Sequence, residues 1–172
     1  MNRAIRNNNP LNLRRTADRW QGMAKRQTDN EFVQFTSTAY GYRAAWKVLD
    51  SYFLRFRRER RPFTVRNIIA RWAPPSENDT EAYIRAVVNI SGLGGNESIP
   101  RPLRYKRFAE LHTAARLLSA MTCVECGLPL GGVDTDALWQ GYDLAFPSAD
   151  RLKKLTEEAQ ARDEYWDWSP TA

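Results

Sequence analysis

Histidine is almost absent from this sequence, with His112 the single one. A Ser–His–Asp or Cys–His arrangement would therefore have to use it as the general base. It lies in "AELHTAA", beside Leu111 on a helical stretch, where a lone histidine ordinarily sits at a core edge or in solvent. Cysteine is equally scarce: Cys123 and Cys126 form one C-x-x-C, "CVEC". A zinc site needs about four ligands, and a thioredoxin-like pair needs a βαβ setting that is not found here. Two buried or half-buried thiols are expected, with no metal and no cofactor. Also missing are a G-x-S-x-G elbow, a phosphate-cradling glycine loop and an H-E-x-x-H pair. No run approaches the roughly 20 apolar residues of a membrane span. The start, Met1 to Arg6, lacks the apolar stretch of a secretory signal. Synthesis in the cytoplasm is expected, with any later export by other means, such as a lysis system or packaging into a particle.

What the chain does have is enough apolar residue for a core: 172 residues, 42% of them hydrophobic, suit one domain with an appendage. Its 26 Lys and Arg against 20 Asp and Glu leave a net charge of +6, compatible with a polyanionic partner such as nucleic acid or an anionic cell wall. Much of that charge sits in "RFRRERR", Arg55 to Arg61. A solvated helix end is the plain reading of that run, and a weak polyanion or DNA contact is the functional one.

Periodicity divides the chain. Residues 1–38 read as irregular with short strands, and "EFVQF" (31–35) alternates as a small strand does. From Ala39, apolar residues recur at three and four: Tyr42, Ala45, Trp46, Leu49, Tyr52, Phe53 and Phe56. Pro62 closes that helix. Thr64 caps a short helix of Val65, Ile68, Ile69 and Trp72, and "APPSEND" breaks the chain. Asn78 with Glu81 resembles a capping box, for a helix that stops at Gly92. "GLGGNESIPRP" is a loop. A helix with Phe108, Leu111, Ala115, Leu118 and Met121 on one face then runs to near Gly127. Asp134 or Thr135 caps another, with Leu138, Trp139, Tyr142 and Leu144. Pro147 and Ser148 open a last charged helix before the aromatic tail "DEYWDWSPTA". The fold class expected is mainly α, or α+β with a small N-terminal β element. The division expected is 1–146 for the helical domain and 147–172 for the charged helix and tail.

With nucleophile chemistry lacking its parts, carboxylates remain. Glycoside cleavage needs a glutamic acid kept protonated by an apolar pocket, so that it can protonate the leaving oxygen. Glu125 sits at the end of an apolar helix, among Met121, Val124 and Leu128, immediately before a glycine. Glu77, in the loop after Trp72, is the second candidate. Both also have plain readings, as an exposed last-turn residue and as part of a cap. Trp20, Tyr40, Tyr42, Trp72, Trp139 and Tyr142 lie in or near loops and caps, where rings stack on sugars or bases or simply fill the core.

The segments "RNNNPLNLRR", "RWQGM", "FVQF", "YGYRAAWKVLDSY", "RWAPPSENDT" and "CVECG" resemble a family of bacteriophage and prophage virion structural proteins. That family's pattern is R-N-N-N-P-G-N-I-R, W-x-G, F-x-x-F, G-x-R-A, W-A-P-P-x-E-N-D-T and a late H-E-N-G. The resemblance covers residues 1 to about 146, and "RWAPPSENDT" is its most specific motif. The front half is also similar to lysozyme-like glucosaminidases and lytic transglycosylases, in which an N-N-x-x-G-I/N-I segment and a W-x-G follow a catalytic glutamate at a helix end. Six residues before Asn7 are too few to supply that glutamate. The hypothesis is a circular permutation of the lysozyme-like fold, with "LLSAMTCVECG" supplying Glu125 from the other end of the chain. On this resemblance Asn8, Asn9 and Trp20 line the groove floor, and Tyr42, Trp72 and Asn78 join them as substrate contacts. Three positions depart from the family: its glycine is Leu11 here, and the residues flanking its glutamate are Val124 and Cys126.

Two classes of function follow. One is a virion-associated murein hydrolase or lytic transglycosylase that cuts peptidoglycan glycan strands locally during infection. The other is a catalytically silent structural virion protein that binds other particle proteins; a DNA-contacting protein is a third. In either main case the chain is made in the host cytoplasm and ends in the virion, capsid or tail. Tyr165, Trp166 and Trp168 in the tail are the expected partner-binding anchors.

Overall fold

Helices form where the sequence supplies a start signal and a buried stripe. The computed structural model describes residues 1–76, 79–101 and 108–148. Six α-helices appear among them: α1 (Arg3–Arg6), α2 (Thr38–Arg58), α3 (Val65–Trp72), α4 (Thr80–Ser91), α5 (Phe108–Cys126) and α6 (Thr135–Ala145). A 3-10 turn (Leu130–Gly132) joins the last two. The fold is mainly α, as expected. Of the expected C-terminal helix and tail, 147–172, residues 149–172 lie outside the described residues.

The start and stop signals are local side-chain chemistry. The Thr64 hydroxyl accepts the Asn67 N–H, and the Asp134 carboxylate accepts the Ala137 N–H, each satisfying one of the orphan donors of a first turn. For α4 the expected cap is corrected. Asp79, not Asn78, takes that place, accepting from the Ala82 N–H, because the first helical residue is Thr80. Gly92 (φ +67°) and Gly127 (φ +65°) end α4 and α5 in the left-handed conformation that glycine adopts at no steric cost.

Packing centres on the contacts of α2 with α6 and of α4 with α5. Helices α2 and α6 touch nearly backbone to backbone: a Cβ at Gly141 would meet the Tyr42 Cβ at 2.6 Å and the Ala39 carbonyl oxygen at 2.8 Å. Trp46, fully buried there, donates its indole N–H to the Leu138 carbonyl at 3.1 Å and meets the Tyr142 ring edge-on at 5.1 Å. Helix α5 runs through the middle. Ala114, Leu117, Leu118, Ala120 and Met121 are all fully buried, a wider surface than the single apolar face expected. A helix packed from several sides reads as apolar around most of its circumference.

Residues 1–37 depart further from expectation. No strand forms over 31–35; only isolated bridges join Arg14 to Phe32 and Met23 to Phe35. The reason lies in the side chains. Asn9 donates to the carbonyls of Leu13 and Val33 and accepts the Leu13 N–H. Gln34 accepts the N–H groups of Thr28 and Asp29. Backbone groups that a ladder would pair are paired by amides instead. Leu11, fully buried, pins this arm into the core.

Candidate active site

Helix α5 delivers Glu125 to a groove at its C-terminal end. Gly127 turns the chain away, and the Asn2 amide holds the Glu125 carbonyl at 3.1 Å. The Cys126 thiol faces the Pro10 carbonyl at 3.5 Å, and burial pushes that thiol up to about 11. It is therefore a protonated, structural group rather than a nucleophile. Glu125 itself is half-buried and lines a groove of about 330 Å³, within the range of ligand sites.

The arm forms one wall, with Asn12, Leu13, Arg14, Thr16, Asp18, Trp20 and Phe32. Val48 and Tyr52 of α2, with Trp72 and Ala73 at the end of α3, form the other. Four aromatic rings thus share one groove with two carboxylates, those of Glu125 and Asp18. The Tyr52 and Trp72 rings meet edge-on at 6.0 Å, and the Arg14 guanidinium lies 5.3 Å from the Phe32 ring centre.

Glu125 is gripped at both oxygens. The Tyr83 hydroxyl donates to Oε1 at 2.8 Å, and the Asn12 amide donates to Oε2 at 2.8 Å. Burial, and then the Glu125 carboxylate, push the Tyr83 phenol well above its ordinary value, so it stays a donor. The sequence placed apolar Met121, Val124 and Leu128 around Glu125, yet the carboxylate's immediate partners are polar. Met121 points into the core, fully buried. Tyr83 and Asn12 were missed because they lie 42 and 113 residues away.

The other expected contacts divide. Trp20 and Trp72 line the groove with Glu125. Asn8, Asn9 and Tyr42 do not, and their assignment as substrate contacts is corrected. Asn9 is fully buried with its amide spent on Leu13 and Val33. Asn8 binds the Phe35 carbonyl and the Thr38 hydroxyl, and the backbone beside it is crowded by Gly41, where a Cβ would meet the Asn8 carbonyl oxygen at 2.2 Å. Tyr42 is core, with its hydroxyl on Thr122 at 3.2 Å. Glu77, Asn78, Tyr165, Trp166 and Trp168 lie outside the described residues.

The asparagine run serves the wall rather than a ligand. Asn7 donates to buried Asp29 at 2.8 Å, and that bond, with the Glu31 and Phe32 N–H groups and Arg3, outweighs burial and holds the Asp29 carboxyl down at about 2. His112 packs edge-on against Trp139 at 5.5 Å, away from the groove lining. In the arginine run, Glu59 pairs with Arg55 at 2.7 Å and with Arg61 at 3.5 Å, while Arg57 and Arg58 are exposed. Among the described residues no cluster of His, Cys, Asp and Glu is placed to hold a metal, and no helix is long and apolar enough to cross a membrane.

No family model matches the sequence. Over 100 residues the chain is 38% identical to Protein P5 of Pseudoalteromonas phage PM2, a stretch equal to 56% of this chain and 60% of that protein. The chain is thus similar to a bacteriophage protein, over somewhat more than half of each.

Proposed function

We propose that this is a bacteriophage virion-associated protein whose groove binds a peptidoglycan glycan strand and whose Glu125 cleaves it as a general acid. One observation carries the reading: a glutamate at a helix end lines one groove together with Trp20, Phe32, Tyr52 and Trp72. Flat apolar rings pack against the faces of sugars, and a positioned carboxyl group is what glycosidic cleavage requires. The likeness to a phage protein supports the setting, and other virion proteins are the natural partners. On this proposal the fold is a circular permutation of the lysozyme-like one, with the catalytic helix, α5, late in the chain rather than first.

Aromatic stacking holds the strand across the groove, and Glu125 protonates the glycosidic oxygen of the leaving sugar. Asp18 shares the lining, but a second carboxylate is not obligatory. The N-acetyl group or 6-hydroxyl of the substrate itself can capture the anomeric carbon.

The test is solubilisation of purified murein. Glu125→Gln preserves shape, and because general acid catalysis contributes typically 10²–10⁴-fold, it should remove nearly all cleavage with an unchanged melting curve. A second reading rests on the grip at both Glu125 oxygens, which also suits a polar bolt locking the arm to α4 and α5 in a catalytically silent particle protein. Wild type that solubilises nothing between about pH 4.5 and 8, while Glu125→Gln melts earlier, would establish that reading instead.

A further inference from the structure

Asn12 shares a left-handed backbone with Asn8, but its amide is bonded differently. Its backbone is left-handed, with φ +47°, a conformation in which asparagine is the commonest residue after glycine. Its amide nitrogen donates to Glu125 Oε2 at 2.8 Å, while its Oδ1 is buried with no hydrogen-bond partner. A buried acceptor left unpaired costs about 1–3 kcal/mol. Asn7, Asn8 and Asn9, by contrast, use both ends of their amides.

The orphaned oxygen has a use in a second state of the site. When Glu125 takes a proton from solvent on Oε2, that O–H becomes a donor and meets the Asn12 N–H, donor against donor. A half turn of the carboxamide, about a soft terminal torsion, presents Oδ1 instead, and the O–H donates to it. Tyr83 does not need to move, since its hydroxyl donates to Oε1 in both states. The phenol therefore reserves Oε1, leaving Oε2 as the oxygen that carries the proton. We infer that Asn12 and Tyr83 are positioning residues for Glu125, and that the Asn12 carboxamide turns over as Glu125 gains or loses its proton at Oε2.

This deepens the glycosidase reading, and its catalytic meaning rests on it: the turned amide holds the proton on Oε2 until substrate is bound, and the O–H then leaves Oδ1 for the glycosidic oxygen of the leaving sugar. The other ionisable groups described at the site are Arg14 and Asp18 on the arm wall, Tyr52 on α2 and Cys126 next in the chain. Oε1 and Oε2 themselves are met by Tyr83 and Asn12.

The experiment is an NMR titration of the full chain without substrate, following Glu125 Cδ together with the Asn12 side-chain nitrogen and its protons. Both should change in one step at a common midpoint, with the Asn12 amide protons moving away from Oε2 on the acid side. Asn12 resonances that stay fixed while Glu125 titrates would overturn the exchange, as would a Glu125 that never titrates between about pH 3 and 8. Asn12→Gly keeps the left-handed backbone without strain, so it should fold. It should lower kcat for murein about 10- to 100-fold and reshape its pH profile, with KM little changed. Unchanged kcat and an unchanged profile would reduce Asn12 to a structural contact. A wild type inert on murein would remove the glycosidase reading, and the titration would then decide the amide exchange by itself.

Discussion

The arm, residues 1–37, and the helical body, 38–145, are held together by different forces. In the body, Trp46, Leu49, Ile68, Leu117, Leu118 and Met121 are sealed from water and touch one another. In the arm, Ala4, Pro10, Leu11, Val33 and Phe35 are the buried apolar residues, and the structure rests on Asn7, Asn9, Gln34 and Asp29. Apolar packing is non-directional and tolerates small shifts. An amide network is directional, and each buried polar atom in it costs about 1–3 kcal/mol if its partner is removed. The groove lies between the two, with the amide-built side supplying Asn12, Arg14 and Asp18 and the apolar side supplying Tyr52 and Trp72. Directional bonds on one wall fix where polar groups point, which is what a site needs from its support.

The comparison can be broken first in the body. Trp46→Ala removes the most buried large side chain of the α2–α6 contact and its indole bond to the Leu138 carbonyl, so it should cost about 4 kcal/mol, read as a drop in urea midpoint for the whole chain. In the arm, Asn9→Ala leaves the carbonyls of Leu13 and Val33 and the Leu13 N–H without the amide. About 2 kcal/mol should be lost. Hydrogen exchange at Leu13 and Val33 should rise first, ahead of α2 and α5, because the damage is confined to the arm.

The smallest effect sharpens the contrast through pH. Asp29 is held at about 2 when folded, below the unfolded value of about 3.9. A depressed carboxylate contributes stability that is fully present above the unfolded value and is lost as pH falls through the folded one. Asp29→Asn should therefore be less stable than wild type at pH 7, by about 1 kcal/mol. The gap should close between about pH 4 and pH 2, measured by urea denaturation at stepped pH. A gap independent of pH would mean that the ionised carboxylate contributes nothing to the arm.

The helices were legible because their signals are short-range. The three-and-four spacing of α2, the hydroxyl of Thr64, the carboxylate of Asp134 and the glycines at 92 and 127 all act within a few residues. The place of Glu125, at the end of an apolar helix before a glycine, was legible for the same reason. Where its carboxylate points was not. That depends on Tyr83 and Asn12, which the chain brings in from 42 and 113 residues away. The arm misled in the opposite sense. "EFVQF" has strand periodicity, and "NNNP" looks available to a ligand. Yet Asn7 binds Asp29 22 residues on, and Asn9 binds Val33 24 residues on. No local pattern announces such pairs. Hydrophobic period and caps are written in neighbouring residues, so sequence alone determined the helices and the burial of the core. A side-chain amide can satisfy a strand, a turn or a substrate equally well, so only the tertiary structure decided that Asn8 and Asn9 build the wall while Asn12 faces Glu125.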